Sequence, residues 1–173
     1  MKKINYKQGF TLIELLVVIA IIGILSTIVL GSLSTARSQG EDAAIKSTLN
    51  NMRAQAELYY VSNTTTPNTY GPAATQCDVT TPSAHIFNSP TPGLSILIND
   101  LKSKLGLTTV TSDTDSTLRC QNTSTAWVIV AKLKTGTNQY ACVDSSGVAK
   151  TISFAASAAM SNTNFLQTRM TCN

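Results

Sequence analysis

From Leu15 to Ala36 the chain runs for 22 residues without a charged side chain, and most of them are Leu, Ile or Val. As a helix rising about 1.5 Å per residue, that run measures about 33 Å, close to the ~30 Å hydrocarbon core of a bilayer. From Arg37 onward the sequence turns polar and rich in Thr. The remainder of a 173-residue chain suffices for one ordinary globular domain and not for two. The frame is a membrane-inserting N-terminus followed by a water-soluble portion.

Charge and composition narrow the functions that such a chain can carry. The formal charge is +4, but Lys2, Lys3 and Lys7 all precede Gly9; without them 10 basic residues face 9 acidic ones, a balance of +1. A nucleic-acid surface needs clustered Lys and Arg to displace counterions, and no such cluster follows the N-terminus. One His and nine scattered acids leave little material for acid–base or metal catalysis. Ser and Thr number 18 and 25, a composition that suits an exposed extracellular surface better than a cytoplasmic enzyme. A non-enzymatic protein without a cofactor is expected.

The N-terminus has two readings. A secretory signal peptide has a basic start, an apolar core of about 7–15 residues and a small-residue cleavage site, for which Ser34-Thr35-Ala36 would serve. Against it stand the longer uncharged run, the carboxylate of Glu14 at its start, and the Gly9-Phe10 junction between the basic segment and the apolar one. The stretch Lys7-Gln8-Gly9-Phe10-Thr11-Leu12-Ile13-Glu14-Leu15-Leu16-Val17-Val18-Ile19-Ala20-Ile21-Ile22-Gly23-Ile24-Leu25 resembles the class III leader and N-terminal helix of type IV pilins and type II secretion pseudopilins. The resemblance is close over residues 1 to about 60 and loose beyond. It implies that a membrane prepilin peptidase cuts after Gly9 on the cytoplasmic side and N-methylates Phe10. The three leader lysines agree with that orientation through the positive-inside rule.

Glu14 has a chemical argument of its own. An ionisable group inside a membrane segment costs a few kcal/mol and is by default functional, with a partner to be named. Removal of the leader would create an α-amino group on Phe10, four residues before Glu14, and two poorly solvated opposite charges need one another. They can meet within one chain at i,i+4 spacing. Alternatively, the amine of an incoming subunit meets Glu14 of its neighbour and sets the axial register, as the resemblance implies. The plainer alternative is an acid that snorkels to the headgroups. Gly23 and Gly31 permit close helix approach and weaken the helix, or are simply tolerated there.

The helical period continues past the membrane run. Ile45, Leu49, Met52, Ala56 and Tyr59 follow spacings of 4, 3, 4 and 3, with Lys46, Asn50, Asn51, Arg53, Gln55 and Glu57 between them. Glu41 and Asp42 favour a helix start there, and Gly40 weakens continuity, so either one helix with a soft spot near Ser38–Gly40 or two helices fit. Unbroken from Phe10 to Tyr60, it would be 51 residues and about 76 Å long. Its apolar stripe requires a covering layer.

That layer is expected from the rest of the chain. Val61 to Ser83 reads as a surface loop. Leu94, Leu97, Ile98, Leu101 and Leu105 mark a short amphipathic helix ending at Gly106, with Pro90 and Pro92 as breakers before it. Trp127 to Leu133 alternates, with Trp127, Ile129, Ala131 and Leu133 on one face. Turns at Thr135–Asn138 and Asp144–Gly147 connect it to strands over Tyr140–Val143 and Val148–Phe154. The expected fold is α+β: a long N-terminal helix, half membrane and half amphipathic, packed on a small three-stranded antiparallel sheet, in agreement with the pilin-like fold of the resemblance. The corresponding divisions are leader 1–9, transmembrane and polymerisation helix 10–36, amphipathic continuation 37–61 and extracytoplasmic head 62–173.

Cys77, Cys120, Cys142 and Cys172 contain no C-x-x-C pair, and His85 lies eight residues from Cys77. Zinc sites need closely spaced ligand pairs, so no metal centre is expected. Two disulfides with three possible connectivities follow in an oxidising compartment. The preferred set is Cys120–Cys142, tying the meander to the segment before Trp127, and Cys77–Cys172, pinning the C-terminus to the long loop. Asp113, Asp115 and Asp144 are candidate calcium ligands or, more simply, solvated turn residues. Asn63-Thr64-Thr65 and Asn122-Thr123-Ser124 match a glycosylation pattern short enough to arise by chance. Lys102, Lys104, Lys132 and Lys134 form either a weak basic patch for DNA uptake or scattered solvation, and no specific nucleic-acid partner is expected.

The resemblance implies a structural subunit of a type IV pilus, held single-pass in the inner (cytoplasmic) membrane and then polymerised into a cell-surface filament. Its partners would be copies of itself, sister pilins, the prepilin peptidase, an assembly platform, a motor ATPase and, before assembly, membrane lipid. A pseudopilin of a secretion or competence pseudopilus is the nearest alternative. A membrane-anchored or secreted binding domain that never polymerises is a more remote one.

Overall fold

A computed structural model describes residues 9–64, 66–73, 77, 85–90, 92–108, 117–153 and 171–172. The elements are α1 (Leu12–Ser62), α2 (Ser95–Leu105), β1 (Leu118–Asn122), β2 (Trp127–Lys132), β3 (Gln139–Asp144) and β4 (Ala149–Ser153). The chain divides into two compact units, Met1–Ser38 and Gln39–Asn173. The arrangement is α+β: a long N-terminal helix and a four-stranded antiparallel sheet. α1 continues through Gly40, so no second helix begins at Glu41–Asp42. Of the leader expected at 1–9, residues 1–8 lie outside the described residues.

In the second unit the sheet is a meander in the order β1-β2-β3-β4, every neighbouring pair antiparallel. Alternation along the strands divides its faces. Leu118, Cys120, Trp127, Ile129, Ala131, Ala141 and Val143 join one buried cluster with Ile45, Leu49, Met52, Ala56 and Tyr59 of α1. All five residues of the expected helical stripe are therefore core, the most exposed being Tyr59 at 3%. Ile98, Leu101 and Leu105 of α2 enter the same cluster, and Gly106 ends α2 in the left-handed region at φ 74°. Glycine suits that position because it lacks the Cβ that makes positive φ costly. Val128, Val130, Tyr140 and Cys142 face the other way, in a smaller cluster with Cys172.

Polar contacts tie the layers together. Asp42, 4% exposed, accepts the Lys134 N–H at 2.6 Å on Oδ1 and the Thr135 N–H at 3.0 Å on Oδ2, where the Thr135 hydroxyl also donates. It is a clasp between α1 and the β2–β3 turn rather than a helix-start residue. The Thr48 hydroxyl of α1 donates to Asp100 Oδ2 of α2 at 3.1 Å, and Lys104 Nζ donates to both. The Lys104 hydrogen bond holds the Asp100 carboxyl below the usual carboxylate range.

Three expectations are corrected. The sheet has four strands, not three. β1 escaped notice because Arg119 and Gln121, on the face away from α1, are polar yet only 6% and 7% exposed. The stretch expected as a surface loop sends Tyr70 (4% exposed) and Cys77 (1%) into the core. The disulfides are Cys77–Cys120 and Cys142–Cys172, not Cys120–Cys142 and Cys77–Cys172. The register gives the reason: Cys120 pairs with Ile129 and Cys142 with Val130, adjacent residues of β2 that point to opposite faces. With β2 between them and their side chains diverging, Cys120 and Cys142 cannot be bridged.

Candidate processing and assembly site

The residues singled out for processing and assembly lie in the first unit. Gly9, Phe10 and Thr11 precede the helix, and Phe10 is 88% exposed. Thr11 occupies the N-cap position and Glu14 the third helical position. The Thr11 N–H donates to Glu14 Oε2 at 2.9 Å, and the Thr11 hydroxyl donates to the same oxygen at 2.7 Å. In return the Glu14 N–H reaches the Thr11 hydroxyl oxygen at 3.3 Å. This reciprocal arrangement is a capping box, which meets the otherwise unpaired N–H groups of a helix start. The sequence reading passed over Thr11, although Thr-x-x-Glu before an apolar run is the signature of such a cap.

Behind the cap the large apolar side chains of α1 are exposed on every side, among them Ile13, Leu16, Ile19, Ile22, Leu25, Val29 and Leu33. By length and composition α1 is able to cross a membrane. Its hydroxyls turn back onto the helix: Thr27 donates to the Ile24 carbonyl at 2.8 Å, Ser32 to Ile28 at 3.3 Å and Ser38 to Ser34 at 3.2 Å. A hydroxyl bonded to its own backbone does not demand water, which suits an apolar environment. Gly23 and Gly31 have open space where a Cβ would stand.

This start of the chain matches a known pattern. The family described as "Prokaryotic N-terminal methylation motif" matches residues 4–30. The type IV wide pilus major component PilA4 of Thermus thermophilus is 43% identical over 56 residues, covering 32% of this chain. Both findings support a type IV pilin family. The chain spans 43% of the length of that relative, so the pilin likeness rests on the N-terminal part. No solved structure matches the chain.

The other sequence candidates fall elsewhere. Asp144 Oδ1 accepts the Ser146 N–H at 2.9 Å, its hydroxyl at 2.6 Å and the Val148 N–H at 3.2 Å, while Oδ2 accepts the Cys172 N–H at 2.7 Å. Its oxygens organise a turn and anchor the C-terminal disulfide. Asp113 and Asp115 lie outside the described residues, among which no cluster of three metal-ligating side chains occurs. Asn122 is fully buried and its amide donates to the carbonyls of Tyr70 at 3.1 Å and Pro72 at 2.9 Å, so it offers no glycosylation site. Of the lysines weighed as a patch, Lys104 is committed to Asp100 and Lys102 is 7% exposed.

Proposed function

We propose that this chain is the structural subunit of a type IV pilus, cut after Gly9, methylated on Phe10 and polymerised through the first half of α1. The observation that carries the reading is the Thr11–Glu14 cap at the head of an exposed apolar helix. Both Thr11 hydrogen bonds end on Glu14 Oε2, and Oε1 takes no bond among the described residues. That oxygen remains available to an amine. Once the leader is removed, Phe10 carries a cation, and a neighbour's Glu14 offers it a carboxylate in a medium too apolar to solvate either charge.

In this function the apolar helix has two successive environments. Before assembly it spans the inner membrane, leader inside and head outside, and lipid covers its side chains. After assembly the helices of other copies and of sister pilins cover the same side chains, so the transfer exchanges one apolar surrounding for another. The prepilin peptidase, an assembly platform and a motor ATPase are the partners this cycle requires.

The experiment is to shear surface fibres from cells and identify their N-terminus by mass spectrometry. The expected species begins at N-methyl-Phe10. Glu14→Ala and Glu14→Val are expected to be processed and retained in the membrane, with fibre yield falling at least about tenfold, the equivalent of ~1.4 kcal/mol per subunit added. Recovery of a chain still carrying residues 1–9 in fibres, or cleavage after Ala36, overturns the reading. Abundant fibres from both Glu14 variants overturn the role given to that residue.

A further inference from the structure

The two disulfides join cysteines that are consecutive in the chain, with sequence separations of 43 and 30. Neither loop encloses or crosses the other. Cys77 and Cys120 lie in the cluster shared with α1, whereas Cys142 and Cys172 lie in the cluster on the opposite face of the sheet. Of all the loops four cysteines can close here, the shortest is the non-native one between Cys120 and Cys142, only 22 residues apart in sequence. Loop-closure entropy therefore favours that mispair in a fully reduced chain presented all at once.

We propose that the head is oxidised in two successive steps, in chain order, by a thiol–disulfide oxidase acting alone, with no isomerase required. The proposal rests on the topology given above, in which the residues after the apolar segment reach an oxidising compartment in N-to-C order. At a synthesis rate of about 5–20 residues per second, Cys120 precedes Cys142 by about 1–4 s. During that interval Cys77 is its available partner within the chain. Closing Cys77–Cys120 first removes the thiol that would otherwise take the short route to Cys142. Cys142 and Cys172 are then left with only one another.

Each step balances. A thiolate of the chain attacks the oxidase disulfide, forming a mixed disulfide and releasing one oxidase thiolate. The second chain thiolate attacks the chain sulfur of that mixed disulfide and releases the other oxidase thiolate. Two chain thiols become one disulfide, and their two electrons and two protons end on the oxidase as its dithiol.

The test expresses the full chain in a bacterial host that keeps its periplasmic oxidase and lacks disulfide isomerase activity. Free thiols are trapped by alkylation, and pairs in the membrane fraction are mapped by mass spectrometry. The expected result is native pairing in more than about nine-tenths of the chains, at a level within about twofold of an isomerase-proficient host. Refolding of the denatured, reduced chain in a glutathione buffer is expected to pass through a Cys120–Cys142 species that is absent in the cell. A Cys142→Ser, Cys172→Ser double variant should still close Cys77–Cys120 as it is exported. Cross-pairs in the isomerase-lacking host, or alkylatable Cys77 and Cys120 in the double variant, overturn this proposal alone. Four alkylatable thiols in the oxidase-proficient host overturn the topology along with it.

Discussion

Between Leu12 and Leu33 the apolar residues of α1 point in all directions and stay exposed, Ile19 at 60% and Leu30 at 67%. Between Ile45 and Tyr59 the stripe of Ile45, Leu49, Met52, Ala56 and Tyr59 is buried, none of the five more than 3% exposed, while Leu58 stands outside it at 49%. The difference is in the pattern of side chains, not in the backbone, which is helical in both. A period of 3.6 with polar residues between specifies one covering layer, and the sheet of the same chain provides it. Apolar residues on every side specify an apolar surrounding rather than one covering layer. The acids follow the same division. Asp42 binds the chain's own β2–β3 turn, while among the described residues Glu14 binds the one that caps its own helix.

The largest effect expected from this contrast is in core truncation. Leu49→Ala removes a side chain that is 1% exposed in the cluster of α1 and the sheet, and should destabilise the head by about 2–5 kcal/mol. Ile22→Ala, the same kind of truncation at a residue 56% exposed, should leave head unfolding within about 0.5 kcal/mol of the parent. Trp127, the only tryptophan, is buried beside the stripe, so its fluorescence during denaturant unfolding in detergent reads the head selectively. Equal losses from the two substitutions would break the contrast between the helix halves.

A smaller effect is expected from the acids. Asp42→Ala leaves the N–H groups of Lys134 and Thr135 and the Thr135 hydroxyl without their acceptor, at a cost of about 1–3 kcal/mol to the head. Glu14→Ala should leave the same Trp127 transition unmoved. If Asp42→Ala also proves neutral, water has replaced the carboxylate and the clasp contributes little. That outcome would sharpen the comparison, by confining the attachment of α1 to its apolar stripe.

What could be read in the sequence follows from whether the decisive interaction is local. The stripe of Ile45, Leu49, Met52, Ala56 and Tyr59, the alternation of β2 and the glycine end of α2 each depend on the spacing of neighbours, and all were legible. The pairing of the cysteines depends on strand register and on which face each strand turns inward, neither of which a single sequence displays. Asp42 misled for the same reason. An acid near a glycine in a helical pattern resembles a helix start, and its true partners lie 92 and 93 residues further on. β1 was missed because burial on its second face falls on Arg119 and Gln121, residues whose type suggests solvent. At the start of α1 the Thr-x-x-Glu spacing of the cap is a local pattern, yet Thr11 was overlooked beside Glu14.

The smallest expected effect concerns Thr11. Its hydroxyl both donates to Glu14 Oε2 and accepts from the Glu14 N–H, so Thr11→Val removes the side-chain half of the cap while preserving shape. Loss of an N-cap costs about 0.5–2 kcal/mol, and in so long a helix that cost falls on the first turn alone. Head unfolding should not register it. Hydrogen exchange in micelles should, with the first-turn amides opening about fivefold more for each ~1 kcal/mol lost. Thr11→Ser keeps a hydroxyl at the same position and should restore protection. If the valine variant exchanges like the parent, the Thr11 N–H bond to Glu14 suffices to hold the turn. The carboxylate would then be positioned by backbone alone, and the pairing proposed for Glu14 would not need the threonine hydroxyl.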